Sequence, residues 1–285
     1  SKSKSIGTIR ILIDKNVKLK KESVETLNEV RDNILPTINK NIKKNLNLVE
    51  PTDITKPYFK SGTDGVIYLL KDNSTNKKYI IKLGKVSKTE LKIVSNKTLS
   101  KAKIIPECLA TFTTYYKDNP KQQSGYIQEF IGSPLWDFLY DKNDKLTGNK
   151  LTLSEFKELL YKSLTFQRVT NCFHGDLHLD NILIVPAKNK RFTFRIIDFG
   201  RSACIKTKLV TTKNIKKYSS SDKTKIQKYL EQMSINQNKI FKDSGLKETF
   251  YGDHPVYGLY FRGSNSIGRL RNLDSLLRSF NLYVN

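Results

Sequence analysis

Short apolar runs separated by polar or glycine-containing breaks occur along most of the chain, and their period predicts its elements. Alternating apolar positions, or a short apolar run between turn residues, indicate a strand, whereas apolar positions three and four apart indicate a helix. Strands are expected at 8–13, at 59–69 as two strands joined by a glycine turn, at 78–83, at 126–131 and at 182–185. Helices are expected at 88–94, 133–139, 152–169, 226–233 and 270–280.

The clearest helix start is at Thr152. Thr152 and Glu155 have the spacing of a capping box, in which each side chain bonds the backbone N–H of the other residue. Apolar residues then recur at helical spacing; they are Phe156, Leu159, Leu160, Leu164 and Val169. We interpret this stripe as core and not as a binding site.

Two apolar runs in the second half end in polar loops that carry reactive side chains. The first loop is residues 174–181, with the sequence HGDLHLDN, and the second is 197–200, with the sequence IDFG. Asp176 can accept a proton from a hydroxyl nucleophile. Asn181 and Asp198 can hold magnesium against a triphosphate, because their oxygens are the hard ligands that this ion prefers. The spacing therefore indicates phosphoryl transfer, which depends mainly on positioning and charge neutralisation.

This pair of loops resembles the catalytic loop and the metal-binding loop of the protein-kinase-like superfamily. The resemblance covers roughly residues 57–202. It implies an α+β, bilobal fold with an antiparallel-sheet N-lobe and a mainly helical, reduced C-lobe. The implied division is the N-lobe (51–128) and the C-lobe (129–285), with a basic, activation-segment-like loop at 205–225. Residues 1–50 depart from the family pattern and are expected to form an N-terminal extension, with the strand at 8–13 followed by a polar helical stretch interrupted at Pro36. The sequence leaves open whether this extension is packed or is a partner-binding arm.

The resemblance also assigns roles upstream of the loops. Gly62 and Gly65 would let backbone approach the phosphates, Val66 would cover the adenine, and Lys82 would contact the α- and β-phosphates. Glu90 is the first candidate for the partner of Lys82. Glu107 is the alternative, although the preceding proline favours a loop start there.

By the same resemblance, Glu129 and Ile131 would present backbone groups to adenine. Asp176 would orient and deprotonate the acceptor, and Asn181 and Asp198 would hold the metal. The implied cofactors are ATP and Mg²⁺, with Mn²⁺ as an alternative ion. Because Lys82 and all three loop residues are present, an active enzyme is expected and not a pseudokinase.

One departure concerns the residue after the first loop histidine. Typical eukaryotic protein kinases have arginine there, where it receives an activating phosphate, whereas this chain has Gly175. The pattern is closer to the aminoglycoside and choline phosphotransferases and to divergent viral or atypical kinases. We expect a Ser/Thr protein kinase, by analogy with compact kinases of large DNA viruses or A/T-rich microbes. A small-molecule kinase of the aminoglycoside or choline type is the competing enzyme hypothesis.

The charge of the chain suggests an anionic partner. Lys and Arg number 51 against 27 Asp and Glu, giving a formal net charge of +24. Codon bias of an A/T-rich genome accounts for this equally well. If the charge is functional, its positive electrostatic field favours binding of acidic or phosphorylated protein substrates, or of nonspecific nucleic acid. The alternative outside enzymes is thus an ATP-binding basic scaffold, and the sequence leaves the oligomeric state open.

Cysteine usage and hydropathy suggest an intracellular, cytoplasmic protein, or one in the host cytoplasm or virion if viral. The cysteines number three and include no Cys-x-x-Cys pair, so we expect free thiols in a reducing compartment. No apolar run is long enough to span a membrane, and no signal-peptide pattern opens the chain. With three histidines, a zinc site is not expected. His174 is expected to support the first loop by hydrogen bonding and not to bind metal, and His178 could point either to solvent or to substrate.

Overall fold

The chain forms two compact units. The computed structural model describes residues 8–13, 24–51, 59–62, 65–116, 119–170, 172–174 and 176–204. Unit 1 comprises Ser1–Ser100 and Pro106–Ile131, and unit 2 comprises Lys101–Ile105 and Gly132–Asn285. The expected loop at 205–225 and the expected helices at 226–233 and 270–280 lie outside the described residues.

Unit 1 is built on a seven-stranded sheet in the order β1-β6-β7-β5-β4-β2, with β3 also paired to β4. Its strands are β1 (Thr8–Ile13), β2 (Leu46–Leu48), β3 (Lys60–Gly62), β4 (Gly65–Asp72), β5 (Lys78–Gly84), β6 (Cys108–Tyr116) and β7 (Asn119–Glu129). Its helices are α1 (Val24–Glu29), α2 (Leu35–Ile42), α3 (Lys88–Val94) and, at the unit boundary, α4 (Lys97–Lys101). All pairings are antiparallel except that of β1 with β6, which is parallel.

A π-helical turn, Val30–Ile34, joins α1 to α2. The turn ends just before Pro36, which lies in the first turn of α2. Proline has no N–H, and its ring clashes with the carbonyl four residues earlier in a regular helix. The wider turn, closed by the Leu35 N–H donating to Val30 O, accommodates that proline. The helix therefore continues through the point where an interruption was expected.

The N-terminal segment belongs to the core of unit 1. Val30, Ile34 and Ile38 are fully buried, in one apolar cluster with the sheet residues Tyr68 and Ile81. Ile11 and Ile13 of β1 join the same cluster. Of the two interpretations that the sequence left open for residues 1–50, a packed extension or a partner-binding arm, the structure shows the packed one for the described residues.

The described part of unit 2 combines two helices with short strands. Its elements are β8 (Ser133–Pro134), α5 (Leu135–Leu139), α6 (Leu153–Thr170), β9 (Cys172–Phe173), a 3₁₀ turn (Leu179–Asn181), β10 (Ile182–Ala187), β11 (Lys190–Ile196) and β12 (Ala203–Cys204). One sheet has the order β11-β10-β8, and β9 pairs with β12 in a second.

Helix α6 begins at the predicted capping box. The Thr152 N–H donates to Glu155 Oε2 at 2.8 Å, and the Glu155 N–H donates to Thr152 Oγ1 at 3.2 Å. Farther along, the Lys162 ammonium donates to Lys103 O and Phe194 O at 2.8 and 2.7 Å. Burial lowers the pKa of Lys162 to about 8. These bonds fix α6 against the β10–β11 hairpin, from which both loops extend.

The predicted α+β fold class is confirmed, because a mostly antiparallel sheet is combined with short helices in unit 1. Across the described ranges, no helix is both long and apolar enough to cross a bilayer.

Candidate functional site

Lys82 of β5 and Glu90 of α3 form a buried ion pair in unit 1. Lys82 Nζ lies 2.8 Å from Glu90 Oε1, and their side chains are 7% and 0% exposed. The Ser87 hydroxyl caps α3 by accepting from the Glu90 N–H at 3.0 Å, which places Glu90 in the first turn. Tyr126 Oη donates to the same carboxylate oxygen at 3.1 Å. Glu90, and not Glu107, is therefore the partner of Lys82.

The side chain on the same sheet face as Lys82 is that of Ile67, not that of Val66. Ile67 lies directly opposite Lys82 in the β4–β5 register, whereas Val66 lies opposite Leu83. Directly opposite residues share a face, and successive residues alternate. Val66 is buried in the apolar cluster beneath the N-terminal helices. The structure thus gives Ile67 the orientation that the sequence analysis expected of Val66.

The two loop glycines lie opposite each other at the end of the β3–β4 hairpin, next to its turn. Gly62 pairs with Gly65, and the two residues between them lie outside the described residues. A Cβ on Gly65 would lie 2.5 Å from Leu83 O. Close packing of β4 on β5 therefore requires glycine at this position independently of any phosphate.

Glu129 and Ile131, the predicted adenine-facing positions, lie at the end of β7. The Glu129 N–H donates to Glu107 O at 2.9 Å, and its Oε2 accepts from the Glu107 N–H at 3.2 Å. Phe130 N donates to Lys78 O at 3.1 Å. These bonds continue the sheet up to Ile131, the last residue of unit 1.

In unit 2, hydrogen bonds within the first loop bring Asn181 onto Asp176. Asn181 Nδ2 donates to the Asp176 carbonyl at 2.8 Å, and the His178 N–H donates to the same carbonyl at 3.1 Å. The Asn181 carbonyl accepts from the Ile197 N–H at 3.0 Å, which ties this loop to the second one beside Asp198. The backbone thus ties the loop that carries Asp176 and Asn181 to the loop that carries Asp198.

His174 supports both loops from the interior. Its Nε2 lies 2.9 Å from Ile197 O, and the Asp176 N–H donates to its Nδ1 at 3.2 Å. Nδ1 therefore acts as the acceptor and Nε2 as the donor, which is the neutral imidazole. Burial lowers the pKa of His174 to about 4. As expected from the sequence, His174 acts by hydrogen bonding.

Phe199 anchors the second loop so that Asp198 faces outward. Phe199 is fully buried and stacks on Phe166, with ring centroids 5.4 Å apart. Asp198 is exposed and has a φ of 63°, in the left-handed region that aspartate tolerates better than most residues. Because the Phe199 side chain is buried and the Asp198 backbone is in the left-handed region, the Asp198 carboxylate lies at the surface of unit 2.

Two further side chains approach the Asp176 carboxylate. His178 Nε2 lies 3.9 Å from Oδ1, and Arg201 Nε lies 3.6 Å from Oδ2. The sequence analysis left the direction of His178 open and did not single out Arg201. An arginine directly after the IDFG loop was the signal that could have identified it.

The oxygen donors of unit 2 fit magnesium bound together with a triphosphate. Asn181 donates from its amide nitrogen to the Asp176 carbonyl, and its amide oxygen is the atom that would bind a cation. Asp198 supplies an exposed carboxylate. Within the described ranges there is no group of three or more His, Cys, Asp or Glu that could hold a metal. Magnesium needs no such group, since it binds through one or two protein oxygens, substrate phosphates and water.

One expectation about the cysteines is wrong. Cys172 of β9 and Cys204 of β12 form a disulfide, although free thiols were expected. The two residues are opposite each other in the β9–β12 pair, a juxtaposition that sequence spacing does not show. Cys108 is free and buried, and burial raises the pKa of its thiol to about 12.

Comparison with known proteins gives a likeness to solved structures. No protein-family model matches this chain, and neither does the sequence of any curated protein. The chain is similar in structure to the kinase PK-1 of Cydia pomonella granulovirus, at 18% sequence identity and a TM-score of 0.42. The likeness covers 61% of this chain and spans 60% of the length of that kinase. At this level it carries no conclusion about function.

Proposed function

We propose that this chain is a kinase-like phosphotransferase that transfers the γ-phosphate of ATP to serine and threonine hydroxyls of proteins. The observation that carries the proposal is the joining of the loop of Asp176 and Asn181 to the loop of Asp198, through the Asn181 side chain and the Asn181–Ile197 backbone bond. In the proposal, Asp176 supplies the carboxylate for the acceptor, and Asn181 and Asp198 supply oxygen donors for a metal. Phosphoryl transfer requires both.

The Lys82–Glu90 pair supports the proposal independently. Burying two charges is costly, and apolar residues of similar volume often serve stability equally well. Since the apolar cluster of unit 1 lies on the opposite sheet face, the pair is not needed to fill that core. A lysine held by a buried carboxylate is the arrangement that steadies α- and β-phosphates in kinases. We assign this role to Lys82 and the adenine contact to Ile67, with backbone groups of Glu129 and Ile131.

In the proposed reaction, the acceptor oxygen forms a bond to the γ-phosphorus as the bond from that phosphorus to the β–γ bridging oxygen breaks. ADP leaves, and the acceptor proton passes to the Asp176 carboxylate. Asn181 and Asp198 would hold Mg²⁺, which when bound neutralises charge on the phosphates. Asp176 contributes mainly by orienting the hydroxyl, because the transition state of phosphoryl transfer is loose.

An acidic or phosphorylated protein acceptor fits the chain better than a cationic small molecule. Arg201 follows the metal loop directly and lies beside Asp176. A cationic aminoglycoside or choline would meet that arginine, whereas an acidic peptide would be attracted to it. This contact keeps the small-molecule hypothesis in second place.

The test is transfer of labelled γ-phosphate with Mg²⁺ or Mn²⁺. The acceptors are an acidic Ser/Thr peptide mixture, casein, aminoglycosides and choline. Asp176→Asn should lower turnover by about 10²- to 10⁴-fold, as loss of a positioned acid or base does. Asp137→Asn, an exposed carboxylate of α5, is the matched control and should leave turnover unchanged.

The acceptor that gains label decides between the hypotheses. Label on peptides supports the proposal, and label only on aminoglycosides or choline moves the chain to the small-molecule class. ATP binding without transfer, together with salt-sensitive binding of nucleic acid, would support the scaffold.

A further inference from the structure

Arg201 forms an ion pair with the carboxylate that the proposed function makes the acceptor-binding group. Its Nε lies 3.6 Å from Asp176 Oδ2, and the two side chains are 17% and 11% exposed. This distance is longer than that of an N–H···O hydrogen bond, so the contact is a loose ion pair in a partly solvated setting. Such a pair adds little to stability. What the ion pair can affect is the orientation of the Asp176 carboxylate.

The segment that carries Arg201 is fixed on both sides. Before it, Phe199 is fully buried and stacks on Phe166. After it, Ser202 Oγ donates to the His174 carbonyl at 3.0 Å, and the Ser202 N–H donates to Phe199 O at 3.0 Å. Beyond that, β12 pairs with β9. These contacts hold the backbone on both sides of Arg201 and so keep its side chain near Asp176.

The other oxygen of Asp176 faces His178. The Nε2 atom of His178 is 3.9 Å from Oδ1. The ring is itself held, because Nδ1 lies 3.3 Å from Asp180 Oδ2 and Nε2 lies 3.1 Å from Asn181 Nδ2. The two carboxylate oxygens therefore have different surroundings, with a permanent cation at Oδ2 and an imidazole at a longer distance from Oδ1.

We propose that Arg201 is the positioning residue for Asp176, pairing with Oδ2 to hold the carboxylate in the orientation that meets the acceptor hydroxyl. The inference rests on the proposed function. Gly175 has no side chain that could supply a cation from within the loop, and Arg201 supplies one from the segment after the metal loop. Guanidinium suits this task because its planar N–H groups are directional and its charge does not titrate in the accessible pH range.

The kinetic test compares Arg201→Gln and Arg201→Lys with the wild type. Arg201→Gln should lower kcat by about 10- to 100-fold, the scale expected when a reacting group is misplaced by an ångström. The KM for ATP should stay unchanged, because Arg201 is placed on the acceptor side. Arg201→Lys should recover part of kcat, and added methylguanidinium should raise kcat of Arg201→Ala. Lys188→Gln removes an exposed charge in the β10–β11 turn and should match the wild type.

A double-mutant cycle on kcat tests whether Arg201 acts through Asp176. Arg201→Gln should lower the kcat of Asp176→Asn little further, because the carboxylate that it orients has already been removed. Equal fold-losses of kcat from Arg201→Gln in the wild-type and Asp176→Asn backgrounds would overturn the pairing. A normal kcat for Arg201→Gln in an active protein would overturn this inference alone. A wild-type chain that transfers phosphate to no acceptor overturns the proposed function and this inference with it.

Discussion

His174 is a buried histidine whose neutral form both loops depend on. Its Nδ1 accepts from the Asp176 N–H, so a proton on Nδ1 would place two donors against each other. Burial lowers the pKa of His174 from its ordinary value of 6.5 to about 4. The folded state therefore binds this proton more weakly than the unfolded state does, and protonation favours unfolding.

The consequence is a loss of stability as pH falls through that window. Above pH 6.5 both states carry neutral His174 and its contribution is fully present; between pH 6.5 and about 4 only the unfolded state gains the proton. We expect His174→Gln, which retains a donor for Ile197 O, to be less stable than wild type at pH 7.5. Its stability should also fall less steeply below pH 6.5. Urea unfolding at several pH values measures both, and parallel curves would contradict the assignment.

Gly132 is a second residue with a strict requirement. Its φ is +71°, and a Cβ there would lie 2.2 Å from Ile184 O of β10. Gly148 has a φ of +83° with nothing within 4 Å of the added Cβ. Gly148→Ala should cost about 1–2 kcal/mol for the left-handed backbone alone. Gly132→Ala should cost clearly more, because backbone must also move. If thermal unfolding showed equal losses of stability for the two variants, strand β10 near Gly132 would be able to move at little energetic cost.

At this scale the sequence identified some residues and missed others for a physical reason. Lys82, Glu90 and the two loops follow from local spacing. The sheet face on which the Val66 side chain lies does not follow from spacing. It depends on the length and geometry of the preceding turn, and a shift of one residue moves a side chain to the other face. Arg201 was missed because its partner lies in a different loop. The disulfide between Cys172 and Cys204 was missed because it depends on a long-range pairing.

At the scale of elements, the N-terminal helical segment covers the sheet face opposite Lys82. The strands predicted at 8–13, 78–83 and 182–185 and the helices predicted at 88–94 and 152–169 are present, and α6 begins where its capping box predicted. Strands β2 and β6 were not predicted. The parallel pairing of β1 with β6 did not follow, because an alternating strand does not specify its neighbour. The role of residues 24–42 was likewise open, since burial of a helix face depends on the surface that meets it.

Because the N-terminal helices pack on the sheet, we expect truncation of one buried side chain of α2 to lower stability strongly. Ile38 is fully buried in the apolar cluster, whereas Val24 at the start of α1 is 51% exposed. Ile38→Ala should destabilise unit 1 by about 2–5 kcal/mol, because it leaves a cavity in a packed core. Val24→Ala should change stability little. Chemical unfolding followed by circular dichroism gives both values; a small loss at Ile38 would mean that the segment packs loosely.

At the scale of the whole molecule, the net charge of +24 is the dominant feature. Several carboxylates in the described part are already paired with basic groups, including Asp72 with Lys44 and Glu155 with Arg191. Repulsion among the excess cations opposes the compact state, and salt screens it. One local example is the pair Lys71 and Lys78, which lie directly opposite each other on β4 and β5 and are both exposed.

Salt should therefore stabilise this protein, and reversing one charge of that pair should reduce the gain. We expect Tm to rise as NaCl increases from low to moderate ionic strength. Lys71→Glu should raise stability at low salt by about 0.2–1 kcal/mol, since it replaces a like-charge pair by an opposite one. Lys71→Gln, which only removes the repulsion, should fall between the two proteins. At high salt the three should converge. A wild-type Tm that falls with added salt would mean that attractive ion pairs, and not the excess positive charge, govern its electrostatic stability.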